Sequence, residues 1–257
     1  MISIIIPVFN EQAGIEPLAK SLATLRTLWA SETIQYVFVD DGSSDRTAQE
    51  LARVFDGDRN CAIIKHGLNR GIGAAFRTGF AHAGGDIVCT IDADCSYGPE
   101  KLRQLVDALE SQGADIAVAS PYHPDGHVEG VPAWRLLLSR TCSLLYRAMS
   151  PVRLYTYTSV FRAYRRGVLE RIGFRQDGFV SVVELLLGAA RQGFRIVEVP
   201  MTLHGRKVGT SKMKIMRTIR QHLRMILQSA IHRRPARVIL KADGEYSRCD
   251  LKASKGQ

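Results

Sequence analysis

Apolar residues recur along this chain in two rhythms. Runs at residues 2–8, 34–39 and 61–65, and the run Ile87-Val88-Cys89-Thr90-Ile91, are short and nearly unbroken, as expected of strands covered on both faces. Between them the spacing widens to three and four. Leu18, Leu22 and Leu25 share one helical face, Ala48, Leu51, Ala52 and Phe55 share another, and a third helix opens around Gly71 and Gly73. After Pro99, residues Leu102, Leu105, Val106 and Leu109 mark a fourth helix before a strand at 115–119. Strands alternating with helices in this way predict an α/β fold of parallel β-α units, with ligands held beyond the carboxyl ends of the strands.

The second half is less regular. Residues 121–132, rich in Gly, Pro and His, read as a loop. Residues 133–149 read as a helix in which Trp134, Leu137, Leu138, Leu144, Leu145 and Met149 alternate with Arg135, Arg140 and Arg147, and its apolar stripe is expected in the core. Residues 155–164 alternate as a strand, a short helix follows, residues 181–191 form a helix with Glu184 near its start, and residues 194–199 form a last strand. A carboxylate so placed either serves the helix N-terminus or belongs to a site.

Charge changes this picture in one place. The chain of 257 residues carries a net charge of +10, yet residues 201–241 hold eleven Lys or Arg and no Asp or Glu, so the whole excess is local. A confined basic segment points to an anionic partner. From Lys212 to His232, Ile215, Ile219, Leu223, Ile226, Leu227 and Ala230 fall on one helical face and Lys214, Arg217, Arg220, Arg224 and Gln228 on the other. That is the pattern of a helix lying in a membrane interface, or of one packed on the domain with a solvated basic face. It has no aromatic residue to stack on bases, which argues against nucleic acid. No apolar run approaches the length of a membrane span. Five cysteines without a C-x-x-C pair argue for a reducing compartment and against a zinc site.

The strand ends bring Glu11, Asp40, Asp41, Asn69, Asp92 and Asp94 to one rim of the sheet. Asp92 and Asp94 either start a turn or hold a cation between them, since two carboxylates so close repel unless something positive intervenes. Oxygen ligands of this kind suit Mg2+ or Mn2+ bridged to phosphate. Gly71-x-Gly73 is equally a phosphate loop or a place where a helix packs closely. A Rossmann dehydrogenase is disfavoured, because the first strand runs into Pro7-Val8-Phe9-Asn10-Glu11 rather than a glycine triplet.

Four motifs occur in order: Ile5-Ile6-Pro7-Val8-Phe9-Asn10-Glu11, Val39-Asp40-Asp41-Gly42-Ser43-Ser44-Asp45-Arg46-Thr47, Asn69-Arg70-Gly71-Ile72-Gly73-Ala74-Ala75, and Gly85-Asp86 through Asp92-Ala93-Asp94. Together they resemble the family-two inverting glycosyltransferases of the GT-A fold. The second half, through Val131-Pro132-Ala133-Trp134-Arg135, Thr158-Ser159-Val160-Phe161-Arg162 and Gly209-Thr210-Ser211-Lys212, is similar to the polyprenyl-phosphate sugar transferases, such as dolichyl-phosphate mannosyltransferases. The resemblance implies a Rossmann-like GT-A domain over residues 1–212, nucleotide-binding in 1–120 and acceptor-binding in 121–212. An amphipathic interfacial helix at 213–234 and a polar tail at 235–257 would follow. It implies inverting, metal-dependent transfer of a sugar, mannose first, from a GDP- or UDP-linked donor to a polyprenyl phosphate on the cytosolic membrane face, with an integral-membrane partner subunit allowed for. Transfer to a soluble, protein or other lipid acceptor, or mere nucleotide and membrane binding, are the alternatives.

Residue by residue, the resemblance implies that Pro7, Phe9 and Glu11 line the nucleotide pocket and that Asp40 or Asp41 reads the base. Asp92, Ala93 and Asp94 meet the diphosphate, with Asp92 and Asp94 holding Mg2+ or Mn2+. Arg135, Arg206, Ser211 and Lys212 receive the lipid phosphate, and Glu184 sits near the sugar. Asp94, Glu184 and Arg135 are the expected catalytic residues. Three departures stand out: Ser96 where the subgroup has glutamine, which leaves water to complete the metal set; Pro121 where it has arginine; and Thr156-Tyr157-Thr158-Ser159-Val160 where it has an aspartate and a glycine.

Overall fold

The computed structural model of the chain describes residues 1–206 and 215–231. Four parallel strands, β1 (Ile2–Val8), β2 (Ile34–Asp40), β3 (Cys61–Lys65) and β4 (Ile87–Thr90), follow the four predicted runs. β5 (Ile116–Ser120), β7 (Arg162–Arg165) and β8 (Ile196–Pro200) complete a seven-stranded sheet in the order β3-β2-β1-β4-β7-β5-β8, in which β7 alone is antiparallel to its neighbours. Helices α1 (Ile15–Leu28), α2 (Thr47–Phe55) and α4 (Leu102–Ser111) cover one face and bury Leu18, Leu22, Leu51, Leu102 and Leu105. On the other face α3 (Ile72–His82), α6 (Arg166–Arg171) and α7 (Val180–Arg191) bury Ala75, Phe76, Val168, Val183 and Leu186.

The chain leaves β1 toward β2 on one side and later returns to β4 on the other, so the order reverses between β1 and β4. Such a reversal opens a crevice beyond the strand ends, where ligands bind in open α/β sheets. Pro7 fits this place. Pairing of β1 with β4 ends at Ile5 and Thr90, with a last bond from Ile91 N–H to Ile5 O at 3.2 Å, while pairing with β2 continues to Val8. A proline here forfeits no ladder bond, because its nitrogen faces the side from which β4 has already departed.

Three expectations are corrected. Of residues 155–164 only the end forms a strand. The backbone N–H groups of Tyr155 and Thr156 donate to the Glu198 carboxylate at 2.7 and 2.8 Å, and the Tyr157 carbonyl accepts from the buried Arg162 guanidinium at 2.7 Å. Side chains thus satisfy the backbone that a ladder would otherwise have satisfied. The loop at 121–132 contains β6 (His127–Glu129), which pairs in parallel with β9 (Thr202–His204), a ribbon too short to leave a periodic signal.

The third correction concerns α5 (Ala133–Met149), whose apolar stripe is not core. Only Ser143 and Tyr146 are buried on it, while Trp134, Leu137, Leu138, Leu144 and Leu145 face outward, Leu137 and Leu144 at 68% and 67% exposure. Beside it runs α8 (Ile215–Ile231). His222 and Met225 turn inward, with the His222 Nδ1 at 2.9 Å from the Tyr146 hydroxyl, and Met216, Leu223 and Leu227 turn outward. The predicted face of α8 is therefore split: Ile226 packs against the domain, whereas Leu223 and Leu227 do not.

Candidate active site

The crevice between β1 and β4 is walled by loops that hold one another. Asn10, in the left-handed conformation at φ 52°, accepts from Ser44 N–H at 2.8 Å through Oδ1, and its own N–H donates to Ser43 Oγ at 2.9 Å. Glu11 N–H donates to Thr47 Oγ1 at 2.8 Å, and Asp45 accepts from Thr47 N–H at 2.9 Å, serving the first turn of α2. Asparagine tolerates this backbone better than other side-chain-bearing residues, which is the signal that marks Asn10 in the sequence. Pro7 and Phe9 are half-buried at the same strand end, and Ala93 is buried opposite.

Asp40 and Asp41 do different work. Asp41, buried, accepts from Arg70 N–H at 3.0 Å and Gly71 N–H at 2.7 Å, and lies 2.7 Å from His66 Nδ1, whose Nε2 is 2.9 Å from Thr78 Oγ1. Its acceptor capacity is spent on locking the loop before α3. Asp40 is fully buried as well, but among the described residues only Oδ1 is used, by Ser43 N–H at 2.9 Å, and Oδ2 has no partner. A buried carboxylate oxygen left unpaired is costly unless a ligand completes it.

Beyond β4, Asp92 and Asp94 lie in the turn after the strand, and Cys95 follows at φ 52°, a strained conformation for this residue. Asp94 Oδ1 accepts from Ser96 N–H at 3.0 Å. Asp94 Oδ2 accepts from Arg206 Nε at 3.0 Å, and Arg206 Nη2 reaches Glu11 Oε1 at 2.6 Å. Burial would lower the Arg206 pKa, but the two carboxylates outweigh it and raise it. Asp92 has no hydrogen-bond donor among the described residues. Burial pushes its pKa far above the usual carboxylate range, Asp94 adds to the rise, Arg206 opposes it and Glu11 adds further. Among the described residues the group is short of positive charge.

This donor set fits a hard divalent cation. Two carboxylate side chains one residue apart, one of them without a donor among the described residues, suit Mg2+ or Mn2+, which bind through one or two carboxylates and leave positions for water and phosphate. Among the described residues no cluster of three or more His, Cys, Asp or Glu forms a closed cage, so water or substrate oxygens would have to complete the shell.

The other predicted residues stand outside this group. Glu184 Oε2 accepts from the backbone N–H groups of Arg175 and Gln176 at 3.0 and 2.9 Å, tying down the loop that covers the start of α3. In that loop Asp177 O accepts from Gly73 N–H at 2.7 Å, and a Cβ on Gly73 would meet Gln176 O at 2.2 Å. The glycines at 71 and 73 therefore serve close packing. Arg135 is half-buried with Nε unpartnered and makes no ion pair among the described residues. Ser211 and Lys212 lie outside the described residues, as does the polar tail.

The ribbon that carries Arg206 was not legible in the sequence. Gly205 N–H donates to Glu129 O at 2.7 Å, and His204 N–H donates to Ser96 O at 3.0 Å, beside Asp94. A Cβ on Gly205 would strike Gly130 O at 2.2 Å, so only glycine lets the two chains meet there.

Comparison with known proteins now adds to this geometry. Residues 3–173 match the description "Glycosyl transferase family 2". The chain is 37% identical over 219 residues to the polyprenol monophosphomannose synthase of Mycolicibacterium smegmatis, which covers 82% of this chain and 80% of that protein. It is 32% identical over 254 residues to the dolichol-phosphate mannosyltransferase of Pyrococcus furiosus, spanning 96% of this chain and 66% of the relative. Among solved structures, a glucosyl-3-phosphoglycerate synthase from Mycobacterium tuberculosis, crystallised with Mn2+, UDP and glucosyl-3-phosphoglycerate, shares the fold. The TM-score is 0.65 at 20% identity, over 90% of this chain and 78% of that one.

Proposed function

The chain belongs to glycosyl transferase family 2, and from that premise we propose that it moves a mannosyl group from a nucleoside-diphosphate sugar to a polyprenyl phosphate at a membrane surface. The observation that carries the reading is the acidic crevice at the β1/β4 reversal, where Glu11 and Asp94 face Arg206 and, among the described residues, Asp92 stands without a donor. The acceptor half of the reading is supported by the two polyprenyl-type relatives.

In this reading Pro7, Phe9 and Glu11 line the nucleotide pocket, and Asp40, rather than Asp41, reads the base through its unpaired Oδ2. Asp92 and Asp94 would hold Mg2+ or Mn2+, whose charge neutralises the diphosphate leaving group. Arg135, Arg206, Ser211 and Lys212 receive the acceptor phosphate. That phosphate is already anionic near neutral pH, so no strong general base is required. Its oxygen bonds to the anomeric carbon as the bond to the diphosphate breaks, and one in-line displacement inverts that carbon. Glu184 acts as a positioning residue through the loop it fastens.

The membrane side is supported by α5 and α8. Their outward Trp134, Leu137, Leu144, Leu223 and Leu227 are interleaved with exposed Arg140, Arg217, Arg220 and Arg224, a composition suited to the interface of an anionic bilayer. Among the described residues no helix is long and apolar enough to cross a membrane. The test is incubation with labelled GDP-mannose, UDP-linked sugars and undecaprenyl phosphate, followed by solvent extraction. Label should enter the organic phase and require a divalent cation. Label found only in water-soluble products would replace the lipid acceptor, and binding without product would remove the enzyme.

A further inference from the structure

Arg206 holds a position that a loaded enzyme would contest. Its guanidinium donates to Asp94 Oδ2 at 3.0 Å and to Glu11 Oε1 at 2.6 Å, so one cation from the segment beyond residue 120 serves two carboxylates from the segment before it. A divalent cation on Asp94 would stand within a few ångströms of that guanidinium, and like charges at such range repel strongly in a partly buried setting. The backbone cannot relieve this. Gly205 is pinned to Glu129 O and to Gly130, and His204 to Ser96 O, so the freedom lies in the long Arg206 side chain.

We propose that Arg206 is an exchangeable counter-ion: it neutralises Asp94 and Glu11 in the unloaded protein, is expelled by the divalent cation and nucleotide diphosphate, and then turns to the acceptor phosphate. This rests on the donor and acceptor reading given above and adds an order to it, with donor before acceptor. Before loading, the acidic crevice retains its only ion-paired arginine among the described residues, and the acceptor phosphate lacks it. After loading, the arriving cation takes over the carboxylates and releases one positive charge to the other side of the crevice. Coupling of this kind is reciprocal, so acceptor phosphate should in turn tighten donor binding.

The exchange predicts a gain where a static role predicts a loss. MnCl2 alone should bind Arg206→Gln about tenfold more tightly than wild type by titration calorimetry, because nothing has to be displaced, with Arg206→Lys between the two. In EDTA the Arg206→Gln protein should melt earlier, its carboxylates left unpaired. Affinity for Mn2+ that is equal to or weaker than wild type, with UDP or GDP binding intact, overturns the exchange alone. Absence of Mn2+ binding in wild type, with either nucleotide present, overturns the donor-site reading as well. A second measurement needs no variant: farnesyl phosphate titrated into wild type should bind about tenfold more tightly after Mn2+ and nucleotide are added. Unchanged or weaker binding overturns the proposal even where Arg206→Gln fails to fold.

Discussion

On the rim of β1 and β2 polar groups spend their hydrogen bonds on one another, Asn10 with Ser43 and Ser44, Glu11 with Thr47, Asp41 with His66, Arg70 and Gly71. Along α5 and α8 the reverse holds, and large apolar side chains face outward with arginines between them. The two regions meet different partners. A rim that must present a few unpaired atoms to a small polar ligand has to be rigid everywhere else, whereas a surface that meets a fluid interface needs area and charge more than geometry. The exceptions are therefore informative: among the described residues no donor reaches Asp40 Oδ2 or, beyond β4, the Asp92 carboxylate.

The largest effect expected from this contrast is on chemistry without a cost in stability. Asp94→Asn and Asp92→Asn should each lower transfer by roughly 10²- to 10³-fold, the range found when a group stabilising transition-state charge is removed. Asp92→Asn should at the same time leave the metal-free melting temperature unchanged or higher, since burial and Asp94 already oppose its charge. Retained activity in both variants, or unfolding of Asp92→Asn, would make these carboxylates structural and erase the distinction between rim and exception.

Next comes the pair Asp40 and Asp41, adjacent in sequence and opposite in expectation. Asp41→Ala strands the His66 imidazole and two backbone N–H groups inside the protein, and should cost roughly 3 kcal/mol in urea unfolding, as breaking a buried polar pair does. Asp40→Asn keeps the acceptor for Ser43 N–H and should change stability little. Its effect should fall on the nucleotide, with affinity weakened by about tenfold, the worth of one charge-assisted hydrogen bond. The reverse pattern would mean that Asp41 is the base reader and that its bonds to the loop are incidental.

Smaller again is the effect on the α5 and α8 surface. Leu137→Ala or Leu144→Ala should weaken binding to vesicles of anionic phospholipid by about tenfold each, with folding stability within roughly 0.5 kcal/mol of wild type. A core leucine on the sheet face, Leu105→Ala, should instead cost about 2–5 kcal/mol and leave vesicle binding alone. Destabilisation by the α5 variants would mean that this face is covered in solution by protein rather than lipid.

What the sequence disclosed follows the same division. β1 and β3 coincide with their apolar runs because a strand buried on both faces writes its limits directly into composition, and the strand ends then place Glu11, Asp92 and Asp94 on one rim. The stripe on α5 is equally visible, but periodicity reports that a face is apolar and not what covers it, which is why the expectation of a core face fails there. Residues 155–161 alternate like a strand, yet the Glu198 carboxylate, distant in sequence, and the neighbouring Arg162 guanidinium take up backbone groups there, a choice made by side chains that the alternation does not report. Asp40 and Asp41 could not be separated by motif, because what separates them is His66, some twenty-five residues on. The Arg206 contact depends on a ribbon three residues long and on two glycines that meet only in the folded chain.

The smallest effect tests how α8 is seated, which decides whether the outward face is set by the fold. His222 is buried against the Tyr146 hydroxyl, and burial lowers its pKa from 6.5 to about 4. Between those values the unfolded chain binds a proton that the folded chain does not, so stability must fall as pH drops through 6.5 and stop falling below about 4. The loss attributable to this one group between pH 7.5 and pH 5.5 is about 1 kcal/mol by linkage. The chain holds seven histidines, so the quantity to measure is the difference in melting temperature between the two pH values in wild type and in His222→Gln. The variant should show the smaller drop. Equal drops would mean that His222 is solvated and that α8 does not dock by this side, and then Leu223 and Leu227 would no longer be fixed outward beside the apolar residues of α5.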